Sequence, residues 1–195
     1  VRLAIFGGSF DPPHIGHLLA ASDAYEQLIL DRIILVPAAT QPLKAGLAGA
    51  SAAQRLEMTR LLVTEDARFE VSSVEVERGG LSFTVDTLMH FATQYPTAQR
   101  FLLLGADVLG SFGQWRHPER ILELANLVLL ERQSEPPLTV PDALVDRGMR
   151  RLSTRRIDVS STEIRERVRA GKSIRGFVPD AVAAYIAGEG LYRER

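Results

Sequence analysis

Short continuous apolar runs alternate along this chain with longer stretches whose apolar positions recur at helical spacing, the pattern of buried parallel strands joined by helices. Leu3–Phe6 reads as a first strand, and Ile15–Leu30 as a helix with Leu18, Ala21, Tyr25, Leu28 and Ile29 on one side. Arg32–Pro37 is a second strand, ended by its proline, and Ala38–Ala50 a loop rich in Ala, Gly and Pro. Ser51-Ala-Ala-Gln54 has the form of a capping box opening a helix through Thr64. Phe69–Glu77 alternates as a third strand, and Arg78–Ser82 turns the chain. Thr84–Tyr95 is helical, with Val85, Leu88, Met89 and Ala92 inward. Arg100–Leu104 is a fourth strand, followed by a loop from Gly105 to Pro118. Pro118–Leu124, with proline at its first position, is a short helix, Leu127–Leu130 a fifth strand and Ser134–Asp142 a proline-rich loop. Arg155–Val159 is a last strand; Ser160-Ser-Thr-Glu163 is a second capping box whose helix ends by Gly171, and Pro179–Ala187 a final helix.

Strands separated by helices predict an α/β fold with a doubly wound parallel sheet and right-handed crossovers, as one domain over residues 1–195. In such sheets ligands sit at the carboxyl ends of the strands, near the point where the winding reverses. Gly7-Gly8, the loop after Pro37, Gly105-Ala-Asp107 and Ser160-Ser-Thr162 all follow strands, so they are expected to gather on one edge.

Composition narrows the classes. Of 195 residues, 46% are hydrophobic and 24% charged, as in ordinary globular domains. No apolar run approaches the roughly 20 residues needed to cross a bilayer, so no membrane partner is expected. With no cysteine, disulfides and thiolate metal sites are excluded. No basic-then-apolar leader precedes the first strand, and cytoplasmic residence is the simplest expectation. A net charge of −1 hides a basic segment: residues 141–176 carry ten Lys or Arg against five Asp or Glu. Such a segment suits either a polyanionic ligand or a solvated face. No long basic tail and no zinc-finger spacing points to nucleic acid.

Two stretches carry candidate chemistry. Gly7-Gly-Ser-Phe-Asp-Pro-Pro-His14-Ile-Gly-His17 runs from a strand end through a glycine turn into a helix. Glycines let backbone N–H groups approach a phosphate, and the helix start directs partial positive charge to the same place. His14 and His17, at i and i+3, share one face of the first turn. Imidazoles beside exposed N–H groups suit an anion that gains charge during reaction. In Val159-Ser-Ser-Thr-Glu-Ile-Arg165, Ser160 can cap a helix with Glu163 returning the bond. Ser161 and Thr162 then offer hydroxyls, and Arg165 a fork, to phosphate oxygens.

The first stretch resembles the His-x-Gly-His signature of the nucleotidyltransferase superfamily. The second resembles that superfamily's other phosphate-binding signature. With Pro42-Leu-Lys44, Gln54-Arg55, Ser82-Phe-Thr84, Thr87-Leu88, Gly105-Ala-Asp107 and Trp115, the chain is similar over nearly its whole length to bacterial nicotinate-nucleotide adenylyltransferases. The resemblance implies a Rossmann-like nucleotidyltransferase fold, with residues 160–195 a helical part completing the ATP site. It also implies transfer of the adenylyl group of ATP to nicotinate mononucleotide for NAD biosynthesis, with pyrophosphate released and Mg2+ held mainly through ATP phosphates. By the same resemblance, Gly8, Ser9 and Phe10 line the groove between the nucleotides. His14 and His17 hold ATP phosphates, Gly105 and Asp107 the adenosine side, and Ser161, Thr162 and Arg165 the triphosphate. His14, His17 and Arg165 are the catalytic set. Lys44, one of two lysines, Thr84, Trp115 and Arg132 fall to the mononucleotide.

Several positions depart from the family pattern: Ala38-Ala-Thr40 and Leu43 in the loop after the second strand, Phe83 before the signature threonine, and Arg132-Gln-Ser134 after the fifth strand. They cluster on the mononucleotide side. Nicotinamide mononucleotide stays open as acceptor, since a carboxylate and a carboxamide differ by one group; phosphopantetheine is the other alternative, though His14 and the chain length argue against it, and a homo-oligomer stays open. A non-catalytic dinucleotide-binding module would need Gly-x-Gly-x-x-Gly after the first strand, which this chain lacks.

Overall fold

The computed structural model of the protein describes residues 1–41, 49–132 and 142–193, without the side chains of 107, 109, 132, 142 and 143. Six parallel strands form one sheet: β1 (Arg2–Gly8), β2 (Arg32–Pro37), β3 (Phe69–Val71), β4 (Gln99–Gly105), β5 (Asn126–Arg132) and β6 (Arg150–Thr154). Their order is β3-β2-β1-β4-β5-β6. From β1 the chain winds outward one way through β2 and β3. It then returns to β4, beside β1, and winds the other way. The reversal therefore lies between β1 and β4, and the crevice expected at a switch point opens beyond Gly8 and Gly105.

The helices are α1 (Ile15–Leu28), α2 (Ala52–Val63), α3 (Val74–Arg78), α4 (Thr84–Gln94), α5 (Pro118–Leu124), α6 (Asp142–Asp146), α7 (Ser161–Arg169) and α8 (Asp180–Gly188). Strand residues alternate between two cores, because successive side chains leave a strand on opposite faces. Ala4, Phe6, Ile33, Leu35, Phe101 and Leu103 bury against α1, α2, α7 and α8. Leu3, Ile5, Ile34, Val36, Leu102 and Leu104 bury against α4, α5 and α6. Both faces are covered, which is why the strands read as unbroken apolar runs. Among the described residues no helix is long and apolar enough to cross a membrane.

Four expectations are corrected. The third strand stops at Val71, and Val74–Arg78 is helical. The apolar alternation changes phase at Ser72-Ser73, placing Phe69 and Val71 on one face and Val74 and Val76 on the other. The serines instead start a helix, with the Ser72 hydroxyl accepting from the Val74 N–H (3.3 Å) and Ser73 bonding Glu77 (2.6 Å). The last strand is Arg150–Thr154 rather than Arg155–Val159. Arg155 is drawn off the sheet by Asp23 of α1, which accepts from its backbone N–H (2.9 Å) and its guanidinium (2.7 Å). On α4, Phe91 is buried in place of Met89, which is 48% exposed. The segment after β4 is a 3-10 helix, Ala106–Gln114, rather than an open loop. Most of the loop read at 134–142 lies outside the described residues.

Candidate active site

The strand end and the glycine turn set the first wall. A Cβ at Gly8 would lie 3.1 Å from the Phe10 ring, tight enough that the buried ring would have to shift. Phe10 itself takes a left-handed backbone (φ 48°) and is buried, its ring edge-on to Phe6 (5.8 Å) and to His17 (5.1 Å). The aromatic pair thus forms the floor on which the second histidine rests.

The two histidines meet at the start of α1. His14 is the N-cap residue, and its backbone N–H donates to Nδ1 of His17 at 3.2 Å. A backbone N–H can only donate, so Nδ1 of His17 is the acceptor and its proton sits on Nε2. The fold therefore sets the tautomer, with the N–H on the distal nitrogen. The rings lie 3.7 Å apart between centroids, tilted by 33°, with His14 the more buried. The glycine between them has a steric cause: a Cβ on Gly16 would lie 3.0 Å from Cε1 and Nδ1 of His14. Replacing Gly16 by Ala removes a poor helix former yet pushes this ring aside. Turnover is expected to fall by about 10- to 100-fold, the range for small misplacements of reacting groups. The melting temperature should hold or rise by a few degrees, since Ala in a helix favours folding by up to ~1 kcal/mol. Steady-state kinetics beside thermal unfolding checks that split.

The second helix start reaches the same loop. Ser160 caps α7, accepting from the Glu163 N–H at 3.1 Å; among the described residues the expected return bond from Glu163 is not formed. Ser161 donates its hydroxyl to the Pro12 carbonyl (2.8 Å). Arg165 donates to the Asp11 carbonyl (2.7 Å) and to the Thr162 hydroxyl (3.2 Å). Residues 14 and 17 and residues 161–165 thus share one side of the molecule. The Ser161 proton is engaged with the loop, while the five-donor fork of Arg165 keeps further N–H groups. On the other side of α1's start, the Ile15 N–H is taken by the Phe177 carbonyl (3.0 Å).

Beneath this junction lies a buried cation. Arg55, in the first turn of α2, is 7% exposed. It donates to three carbonyls: Ser9 (2.7 Å) in the glycine loop, Ala39 (2.8 Å) after β2, and Ala50 (3.2 Å) before α2. Burial lowers its affinity for the proton, and the nearby Asp11, Tyr192 and Glu75 restore part of it. Asp11 accepts from the Ala50 N–H (3.1 Å) and from the Tyr192 hydroxyl (2.6 Å). Burial and the Asp11 carboxylate hold the Tyr192 phenol protonated, so the tyrosine is the donor.

Across the crevice, α4 begins at Thr84, with Phe83 as N-cap residue. Trp115 ends the 3-10 helix, half-buried, its ring 5.4 Å from Phe112 and its indole N–H toward the Ser111 hydroxyl (3.4 Å). Arg116 lies over Phe83 at 4.9 Å and pairs with Asp86 at 3.8 Å, joining the tryptophan loop to the start of α4.

The cytidylyltransferase-like family profile matches residues 5–167. A probable nicotinate-nucleotide adenylyltransferase of Gemmatimonas aurantiaca is 53% identical, the match covering 100% of this chain and 93% of the relative. One from Thermus thermophilus is 46% identical over 99% of this chain and 100% of the relative. The chain belongs to the nicotinate-nucleotide adenylyltransferase family. Its fold is shared with Plasmodium falciparum nicotinic acid mononucleotide adenylyltransferase complexed with NaAD, at a TM-score of 0.76 and 16% identity, covering 98% of this chain and 97% of that one. A structure titled as a putative nicotinate-nucleotide adenylyltransferase of Vibrio parahaemolyticus gives 0.72 at 21%, covering 100% and 96%.

Within this family member, the sequence-predicted residues fall into two groups. Gly8, Ser9, Phe10, His14, His17, Ser161, Thr162 and Arg165 come together as described. Gly105 closes β4, and Thr84 and Trp115 stand near each other through Arg116 and Phe83. The backbone of Asp107 is in the 3-10 helix and that of Arg132 ends β5; their side chains, and all of Lys44, lie outside the described residues. Part of the basic segment is paired within the chain: Arg151 with Glu131, Arg155 with Asp23, Arg156 with Asp158 and Arg175 with Asp180. Sequence reasoning passed over Asp11, Glu75 and Tyr192. Asp11 sat inside the signature without a role; Tyr192 gave no signal because its partner is 181 positions away, and Glu75 none because it lay in an alternating stretch read as a strand.

Proposed function

We infer that this chain transfers the adenylyl group of ATP to nicotinate mononucleotide, giving nicotinate adenine dinucleotide and pyrophosphate. The observation that carries the reading is the convergence of two helix starts, α1 and α7, on one loop that also bears both histidines. A polyphosphate laid there meets two positive helix ends, the Nε2–H of His17 and the guanidinium of Arg165. Gly8, Ser9 and Phe10 line the passage between the nucleotides, Ser161 and Thr162 take triphosphate oxygens through their backbone N–H groups at the α7 start, the Ser161 hydroxyl being engaged with Pro12, and Gly105 and Asp107 take the adenosine. Thr84 starts a helix toward the nicotinate carboxylate, Trp115 offers a ring to stack on the pyridine, and Lys44 and Arg132 are assigned to the mononucleotide phosphate.

The nucleophile needs no base. The 5′-phosphate oxygen of the mononucleotide is already an anion and attacks the α-phosphorus in line with the departing pyrophosphate. The chain's contribution is alignment and neutralisation of charge on the leaving group. Among the described residues no three His, Asp or Glu side chains could hold a metal ion together. Mg2+, carried on phosphate oxygens and water, would neutralise polyphosphate charge.

The test is pyrophosphate release from ATP and Mg2+ with nicotinate mononucleotide, its amide, or phosphopantetheine in separate reactions. Release is expected to be fastest with the nicotinate form. Fastest release with another acceptor reassigns the substrate, and release with none removes the enzymatic reading.

A further inference from the structure

Behind the start of α4 lies a buried acid that neither the histidine loop nor the α7 start uses. Glu75, in α3, is 6% exposed. Its carboxylate accepts from the hydroxyl of Thr87, in the first turn of α4, and that hydroxyl lies 3.4 Å from Nη2 of Arg78. Burial raises its pKa, and the Thr87 and Ser82 hydroxyls with Arg78 and Arg55 oppose the shift. Ser82 is the link outward. Its hydroxyl accepts from the Ala39 N–H (2.9 Å), and its own N–H donates to the Thr40 carbonyl (2.9 Å). Thr40 and Leu81 form an isolated parallel bridge. Arg55 holds the carbonyl of the same Ala39 at 2.8 Å. The chain after β2 and the turn before α4 are therefore fastened together by Ser82, and Glu75, bonded to Thr87, anchors the helix that this turn leads into.

We propose that Glu75 is a positioning residue for the mononucleotide half of the site, fixing the start of α4 through Thr87 and with it the Leu81–Thr84 turn that Ser82 fastens to the Ala38–Thr40 segment. This rests on reading Thr84 and the chain after β2 as the mononucleotide side. Glu75 touches no reacting atom. It acts by keeping the α4 N–H groups at one distance from the strand ends, where a shift of an ångström would be felt in acceptor binding rather than in ATP binding.

The experiment is steady-state kinetics on the full chain with both substrates varied, beside thermal unfolding, for Glu75→Ala, Glu75→Gln and Ser82→Ala. Glu75→Ala is expected to raise the KM for nicotinate mononucleotide by about 10-fold or more and leave that for ATP within about 2-fold. Glu75→Gln, which keeps an acceptor oxygen, should recover much of the loss. Ser82→Ala, which removes the link at the surface of the cluster, should shift the same KM in the same direction and serves if Glu75→Ala fails to fold. Parallel rises in both KM values, Glu75→Gln no better than Glu75→Ala, or an unchanged acceptor KM in Glu75→Ala or Ser82→Ala would overturn the assignment while leaving the activity intact. A parent chain inactive with nicotinate mononucleotide overturns the functional reading, and this assignment with it.

Discussion

Replacing His17 by Ala is expected to lower kcat by about 100- to 1000-fold, the range for losing one preorganised donor to developing charge, while the KM for ATP changes by less than about 3-fold. The asymmetry follows from the geometry. On the proposed reading, two helix starts and Arg165 hold ATP in its ground state, so one imidazole contributes little to binding. On the same reading, charge that builds during transfer on the oxygen bridging to pyrophosphate strengthens a bond from the Nε2–H of His17. The substitution also frees the His14 N–H, because Nδ1 of His17 is its acceptor at 3.2 Å. His17→Asn separates the two effects, since asparagine can accept from that N–H without presenting the distal donor. Steady-state kinetics on both variants checks this. Equal losses in kcat and in ATP affinity would make His17 a binding group only.

The largest effect on stability is expected from Arg55→Met. The side chain keeps similar bulk, but three carbonyls from three separate segments lose their donor, and Asp11 and Glu75 lose a buried countercharge. Breaking such an arrangement costs about 3–5 kcal/mol. For a chain of this size that lowers the melting temperature by roughly 10 °C. Arg55→Lys keeps the charge and loses the planar fork, and one ammonium cannot span all three carbonyls; a smaller drop is expected. Thermal unfolding followed by circular dichroism measures both. A shift under about 2 °C for Arg55→Met would mean that the three loops hold together without the guanidinium.

The fold was legible where burial is two-sided. Runs such as Arg32–Pro37 and Arg100–Leu104 have one reading, and the observed β2 and β4 match it or extend it by a residue at each end. The capping box at Ser51 was equally plain, and both of its bonds form, Gln54 N–H to Ser51 (3.2 Å) and Ser51 N–H to Gln54 (3.0 Å). The errors sit where one distant partner decides. Arg155 leaves the sheet for Asp23, 132 positions away, and no local pattern announces that bond. Met89 and Phe91 both fit an apolar helix, and only the packing chooses between them. The histidine loop could be read because its chemistry is contiguous. The support beneath it could not, because Arg55, Asp11, Tyr192 and Glu75 come from four separate stretches.

One of those supports joins two segments far apart in the sequence. The Tyr192 phenol closes on Asp11 across 181 positions, and Asp11 in turn shapes the loop that leads into His14. During synthesis on the ribosome, the segment bearing this aspartate therefore emerges long before the one that carries its phenol partner. A nascent fragment can build strands and helices as it lengthens, but the loop before His14 gains this brace only once Tyr192 has left the exit tunnel.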